Sequence, residues 1–281
     1  MKLAGRYAVI TGAGRGLGAE IARSYVAEGA SVLLCARSAD ELSSVKAALS
    51  QSLQPGQVVE VHVTDVSEKA QVDALMQRAL ALFPHVDAIV CNAGVYGPFG
   101  QTEDVDLDAW AQAMQINLMG TLYSCRAAIP HFKARGYGKI VVVSGGGATS
   151  PLPNLSAYAA SKAAVVRLTE TLAGELKDWH IDINSVAPGL LATSLQDGLL
   201  AAGPERIGEA FYARMKRDLE AGGDSIERAA ELCVYLASSE SDGLTGRLIS
   251  AKWDAWPFSA EALAAMKPDT YTLRRVVPEE G

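Results

Sequence analysis

Apolar residues along this chain fall into two alternating rhythms. Short runs rich in β-branched residues, Tyr7–Thr11, Ser31–Ala36, Val58–Val63, Ala88–Cys91, Ile140–Ser144, Asp182–Ala187 and a last one near Arg247–Ser250, read as strands. Between them, apolar positions recur at helical spacing. Regular alternation of strand and helix predicts an α/β fold: a single doubly wound parallel sheet of about seven strands with helices on both faces. The unbroken apolar run Ile140-Val141-Val142-Val143 points the same way, because a strand wetted on one face would alternate instead.

The rhythm loosens from about Leu195 to Gly223. Gly203-Pro204 and Gly222-Gly223 bracket an amphipathic stretch, Glu205–Glu220, that reads as one helix. Insertions at this stage of a doubly wound fold lie over the carboxyl ends of the strands, where ligands bind, so residues from about 190 to 223 are expected to form a substrate lid. A helix over Ser225–Ala237 follows, then the last strand. From Trp253 onward no part of the chain has an evident place in the sheet. Residues 1–252 are therefore read as one domain and 253–281 as a C-terminal extension that walls the substrate pocket or packs at a subunit interface. Trp253 and Trp256 would be costly as free surface, and burial against this chain or a neighbouring subunit is expected.

Composition narrows the field. A chain of 281 residues, 49% of them apolar, can bury the core of one large α/β domain. The net charge of −7 and pI near 5.2 argue against a nucleic-acid partner. No apolar run reaches the roughly 18 residues of a membrane span, and Met1–Arg6 shows no leader pattern, so a soluble cytoplasmic protein without a membrane partner is expected. Cys35, Cys91, Cys125 and Cys233 are widely spaced, in apolar surroundings and without a histidine cluster nearby. They read as buried free thiols, and no metal site is expected.

Candidate chemistry begins directly after the first strand. The stretch Thr11-Gly12-Ala13-Gly14-Arg15-Gly16-Leu17-Gly18 opens a helix, and a side chain at its glycines would block the approach of a pyrophosphate to the backbone N–H groups of the helix N-terminus. This is a Rossmann-type dinucleotide cradle. At the end of the second strand, where an acidic residue would accept from a ribose 2′-hydroxyl, the chain has Ala36 followed by Arg37, with Arg15 in the glycine loop. Two guanidiniums suit a 2′-phosphate, so NADP(H) is preferred over NAD(H). Farther on, Tyr158 and Lys162 stand four residues apart and share one helix face. A phenol titrates near 10, so it needs an adjacent cation to act as a base near neutrality, and Lys162 can supply one.

Together these segments resemble the short-chain dehydrogenase/reductase family over roughly Leu3 to Ile249. The resemblance rests on the glycine loop, Asp65-Val66 after the third strand, Asn92-Ala93-Gly94 after the fourth, Asn117, the Tyr158/Lys162 pair, and Pro188-Gly189 followed by Thr193. It implies Asp65 at the adenine, Asn92 on the ribose side, Pro188, Gly189 and Thr193 at the nicotinamide, and Val66, Ala93 and Gly94 among the other cofactor-binding residues. Lys162 would also hold the nicotinamide ribose, Asn117 would support a water-mediated proton path, and Tyr158 would exchange the proton as hydride passes between nicotinamide and a carbonyl carbon. The expected partners are a small carbonyl or alcohol substrate and other copies of the chain, as a homotetramer or dimer.

One position departs from the family. A serine normally stands thirteen residues before the tyrosine, and here that place holds Gly145. Three readings stay open: Tyr158 and a water hold the substrate oxygen; Ser144, Thr149 or Ser150 swings in; or the protein binds NADP without catalysing, as a regulatory or structural protein.

Overall fold

A computed structural model describes residues 1–276. Seven parallel strands are present: β1 (Tyr7–Thr11), β2 (Ser31–Ala36), β3 (Val59–Val63), β4 (Ala88–Cys91), β5 (Gly138–Val143), β6 (Ile181–Ala187) and β7 (Leu248–Ser250). Their order in the sheet is β3-β2-β1-β4-β5-β6-β7. Alternate side chains of each strand feed opposite cores. Ala8 and Ile10 of β1, with Val141 and Val143 of β5, join Tyr25 and Tyr235 on one face, while Val9, Ile140 and Val142 join Phe132 and Leu172 on the other. The expected doubly wound sheet covered on both faces is the fold observed.

β5 begins two residues before the expected Ile140. Lys139 looks like a strand boundary in the sequence, yet it is fully buried. Its ammonium is satisfied by Asp182 and Asp242, each at 2.7 Å, and the charge can therefore sit inside the sheet.

The helices are α1 (Gly16–Ala27), α2 (Ala39–Ser50), α3 (Lys69–Leu82), α4 (Leu107–Met114), α5 (Gly120–Arg135), α6 (Ser156–Leu176), α7 (Ser194–Ile207), α8 (Glu209–Glu220), α9 (Ile226–Ala237) and α10 (Ala260–Ala265). The segment expected to form a lid is two helices where the sequence suggested one, because Gly208 takes φ +89° and breaks the run between α7 and α8. Ser225 is the N-cap of α9 and accepts from the Arg228 N–H. None of the described helices is long and apolar enough to cross a membrane.

Beyond β7 the extension turns back over the edge of the sheet. The Trp256 ring stacks on Tyr235 of α9, and the Leu248 N–H of β7 donates to the Tyr271 carbonyl at 2.7 Å. Farther along, the Leu273 N–H donates to Glu170 of α6. An edge strand is thereby covered. Trp253, by contrast, is 79% exposed on this chain. Residues 277–281 of the expected extension lie outside the described residues.

Candidate active site

The strand order reverses its direction of growth between β1 and β4, and at such a point the connecting loops part and leave a crevice at the carboxyl ends. A cavity of about 1000 Å³ opens there. Gly12, Gly14, Arg15, Gly16, Leu17, Gly18, Arg37, Asp65, Val66, Asn92, Ala93, Gly94, Ser144, Tyr158, Lys162, Pro188, Gly189 and Thr193 all line it. Of the residues singled out in the sequence, Asn117 alone stands behind the wall.

The glycine loop is tight for a visible reason. A Cβ on Gly18 would stand 2.1 Å from the Gly12 carbonyl oxygen, and one on Gly12 would stand 2.8 Å from Cα of Ala93. No side chain caps α1, so its first N–H groups are left for a ligand at the cavity. Asn92 braces the turn, donating from Nδ2 to the Thr11 and Gly12 carbonyls at 3.0 and 3.1 Å. A dinucleotide pyrophosphate fits this cradle, which side chains at these glycines would fill.

The two arginines differ in their surroundings. Arg15 is paired with Glu41 at 3.1 Å, a partner the sequence reading missed because it lies on another helix. Arg37 is exposed on the cavity wall and has no carboxylate partner among the described residues. Asp65 lines the same end, with Oδ1 already accepting from the Ser67 N–H and hydroxyl.

At the other end, α6 places Tyr158 and Lys162 on one face. The Lys162 ammonium is buried, donates to the Val143 carbonyl at 2.9 Å and lies 5.6 Å from the centre of the Tyr158 ring. Burial lowers its pKa to about 8, since a charge is costly away from water. Desolvation, with a smaller contribution from Tyr96, pushes the Tyr158 phenol well above its ordinary value.

Asn117 lies in a π-helical turn, Gln115–Met119, a distortion often found at functional sites. Its side chain accepts from the Val95 N–H and donates to the Val95 carbonyl and the Ser161 hydroxyl, all within 2.9 Å. It thus ties the loop after β4 to α6, three residues beyond Tyr158. The Ser161 partner could have been found from the sequence only by its place on the Tyr158 helix.

Gly145 adopts an extended backbone, with φ 174°. A Cβ there would stand 2.4 Å from the Tyr158 hydroxyl oxygen, so the phenol tip occupies space that a side chain at 145 would need. The Ser144 hydroxyl is turned away and donates to the Lys162 carbonyl at 3.2 Å. Thr149 and Ser150 line the cavity. Tyr96 lies against Tyr158 with ring centres 4.5 Å apart. Burial pushes its phenol up to about 12. Its hydroxyl donates to Gln196 of α7 at 3.3 Å, and the Gln196 amide nitrogen donates to the Thr193 hydroxyl at 2.7 Å.

Asp224 was also missed, because its contacts lie 28 and 34 residues away in sequence. It accepts from the Leu190 N–H at 2.8 Å and pairs with Lys252 at 2.7 Å, joining the loop after β6 to the residue just before the extension. The four cysteines are free and buried, and no cluster able to hold a metal occurs among the described residues.

Known proteins resemble this chain along most of its length. Residues 6–202 match the short chain dehydrogenase family. The L-fucose dehydrogenase of Oryctolagus cuniculus is 33% identical over 241 residues, covering 85% of this chain and 81% of that protein. A 2-dehydro-3-deoxy-L-rhamnonate dehydrogenase (NAD(+)) of Sphingomonas sp. (strain SKA58) is 31% identical over 239 residues, covering 85% and 90%. The crystal structure of a gluconate 5-dehydrogenase from Burkholderia cenocepacia J2315, in complex with NADP and tartrate, superposes with a TM-score of 0.78 at 29% identity over 89% of this chain and 94% of that one. With the cradle, the crevice and these matches in place, the chain belongs to the short-chain dehydrogenase family of NAD(P)-binding oxidoreductases.

Proposed function

We propose that the protein interconverts a ketone or aldehyde and the corresponding alcohol with NADP(H), using Tyr158 as general acid and base. The observation that carries this reading is the placement of Tyr158 on the cavity wall with the buried Lys162 ammonium 5.6 Å from its ring. When bound, the nicotinamide supplies or accepts the hydride. In reduction the Tyr158 hydroxyl gives its proton to the carbonyl oxygen, and in oxidation the phenolate takes it back. Lys162 favours the phenolate electrostatically, while Asn117 and Ser161 keep α6 in register with the loop after β4. Consumption of NADPH with a panel of simple ketones, lost in Tyr158→Phe, tests the assignment. Cofactor consumption that persists in the variant would overturn it.

The preference for NADP rests on Arg37, since relatives carry both NAD and NADP in their descriptions. Arg15 is already shared with Glu41, so the Arg37 guanidinium at the end of β2, which has no carboxylate partner among the described residues, is the anchor for a 2′-phosphate. Arg37→Asp removes one charge-assisted contact and adds repulsion. The ratio of kcat/KM for NADPH to that for NADH should fall by about 100-fold, mostly through KM. An unchanged ratio would remove Arg37 from cofactor choice.

Gly145 is read as accommodation of Tyr158. Restoring the hydroxyl with Gly145→Ser adds a donor but also pushes the phenol away, and Tyr96 limits its retreat. Misplacement of a reacting group by about 1 Å can cost 100-fold, comparable with the gain from one donor. The displacement should win, lowering kcat by about tenfold with cofactor KM little changed. A rise in kcat would show that the tyrosine yields and that the missing donor limits the natural enzyme.

A further inference from the structure

Each cation on the cavity wall can be assigned a partner, with two exceptions. Arg15 pairs with Glu41, Lys252 pairs with Asp224, and the Lys162 ammonium is bound to the Val143 carbonyl. Arg37 and Arg214 have no carboxylate within salt-bridge distance among the described residues. Arg37 lies at the end assigned above to the adenosine ribose. Arg214 is on the lid, at the other end.

α8 turns one face to the cavity. Phe211, Arg214, Met215 and Asp218 stand at spacings of three and four residues on that face, and all four line the cavity. Met215 is buried in a cluster with Tyr158, Leu152 and Leu155, so the face is held against the reaction centre by packing. The Arg214 guanidinium lies 5.8 Å from the centre of the Phe211 ring, a contact that restricts the side chain and prepares its planar fork for a carboxylate. The carboxylates of Asp218 and Asp254, also on the cavity wall, lie beyond salt-bridge distance of it. Asp218 contacts Arg217 at 3.4 Å, and Asp254 accepts from the Ser250 N–H at 2.7 Å.

We propose that Arg214 binds a carboxylate of the substrate, so that the protein acts on an oxo acid or hydroxy acid whose charge is separated from the reacting carbon by an apolar body. Tyr96, Leu152, Phe211 and Met215 supply the apolar wall between the two ends. This substrate class rests on the carbonyl chemistry proposed above. The acid function also explains why a lid otherwise packed on apolar residues places at the cavity wall an exposed guanidinium with no carboxylate partner among the described residues.

The test compares 4-oxocyclohexanecarboxylate and 6-oxoheptanoate with their methyl esters, in wild type, Arg214→Gln and Arg214→Lys. In the wild type kcat/KM should favour the acids. The acid-to-ester ratio should fall by about 10- to 100-fold in Arg214→Gln and by less in Arg214→Lys, which keeps the charge but loses the fork. A second readout needs no turnover: cyclohexanecarboxylate should raise the Tm of the NADPH-bound wild type and not that of Arg214→Gln. Esters turned over as well as acids, with an unchanged ratio in the variants, would overturn the carboxylate site and leave the carbonyl chemistry standing. Failure to turn over any of these carbonyl compounds, with an Arg214-dependent shift in Tm, would overturn the chemistry and leave the site standing. An identical response of wild type and Arg214→Gln to cyclohexanecarboxylate would overturn the site as well.

Discussion

Tyr158→Phe is expected to lose about 1000-fold in kcat while its affinity for NADPH changes only a few-fold, because the substitution removes the proposed proton donor and leaves the glycine cradle untouched. The ring stays. Phenylalanine keeps the packing against Tyr96, and the phenol hydroxyl has no hydrogen-bond partner among the described residues, so no buried group is orphaned and stability should hold. Stopped-flow fluorescence of bound NADPH separates binding from turnover, and a variant retaining more than about a tenth of wild-type kcat would exclude Tyr158 as the acid. The pH profile adds a second check. With its phenol pushed up by desolvation, Tyr158 is protonated at neutral pH and ready to donate. Lys162, lowered to about 8 by burial, is charged below that pH and neutral above it. Reduction should therefore slow as pH rises through about 8, when the cation that stabilises the departing phenolate is lost.

Gly18→Ala should abolish cofactor binding more completely than any change of charge in the site. Its new methyl would meet the Gly12 carbonyl at 2.1 Å and Asn92 Nδ2 at 2.6 Å, and the first of these is backbone that can yield only if α1 moves away from β1. That shift displaces the helix N-terminus from the pyrophosphate position. NADPH affinity should fall by at least about 100-fold, and overpacking of this kind costs about 1–3 kcal/mol, enough to lower Tm by several degrees. Gly174→Ala is the control, since nothing lies within 4 Å of a Cβ there, and alanine is the better helix former. Isothermal titration and thermal melts of both variants decide the matter. Normal cofactor affinity in Gly18→Ala would show that the loop has slack that its contacts do not suggest.

The fold was largely legible in the sequence because its signals are local. Alternation of β-branched runs with helical spacing extends over a few residues at a time, and each strand reports its own burial. The boundary at Lys139 failed for the complementary reason: a lysine reads as solvent-facing until Asp182 and Asp242, more than 40 residues away, are known to enclose it. The single lid helix failed at Gly208, since a left-handed glycine can end a helix but does not announce that it will.

At the site, the sequence alone singled out the candidate residues proposed to carry chemistry and the backbone positions that must be bare. The glycine cradle follows from the needs of a turn, and the Tyr158/Lys162 face follows from the pitch of one helix. Those are relations between neighbours, and the chain encodes them directly. Tertiary structure decided the rest. It set β4 beside β1 and so opened the crevice, gave Glu41 to Arg15 while leaving Arg37 without a carboxylate partner among the described residues, turned Ser144 toward the Lys162 carbonyl, and brought the Tyr158 hydroxyl into the space beside Gly145. Such partners come from different elements, and only the packing of the completed sheet and lid brings them within reach.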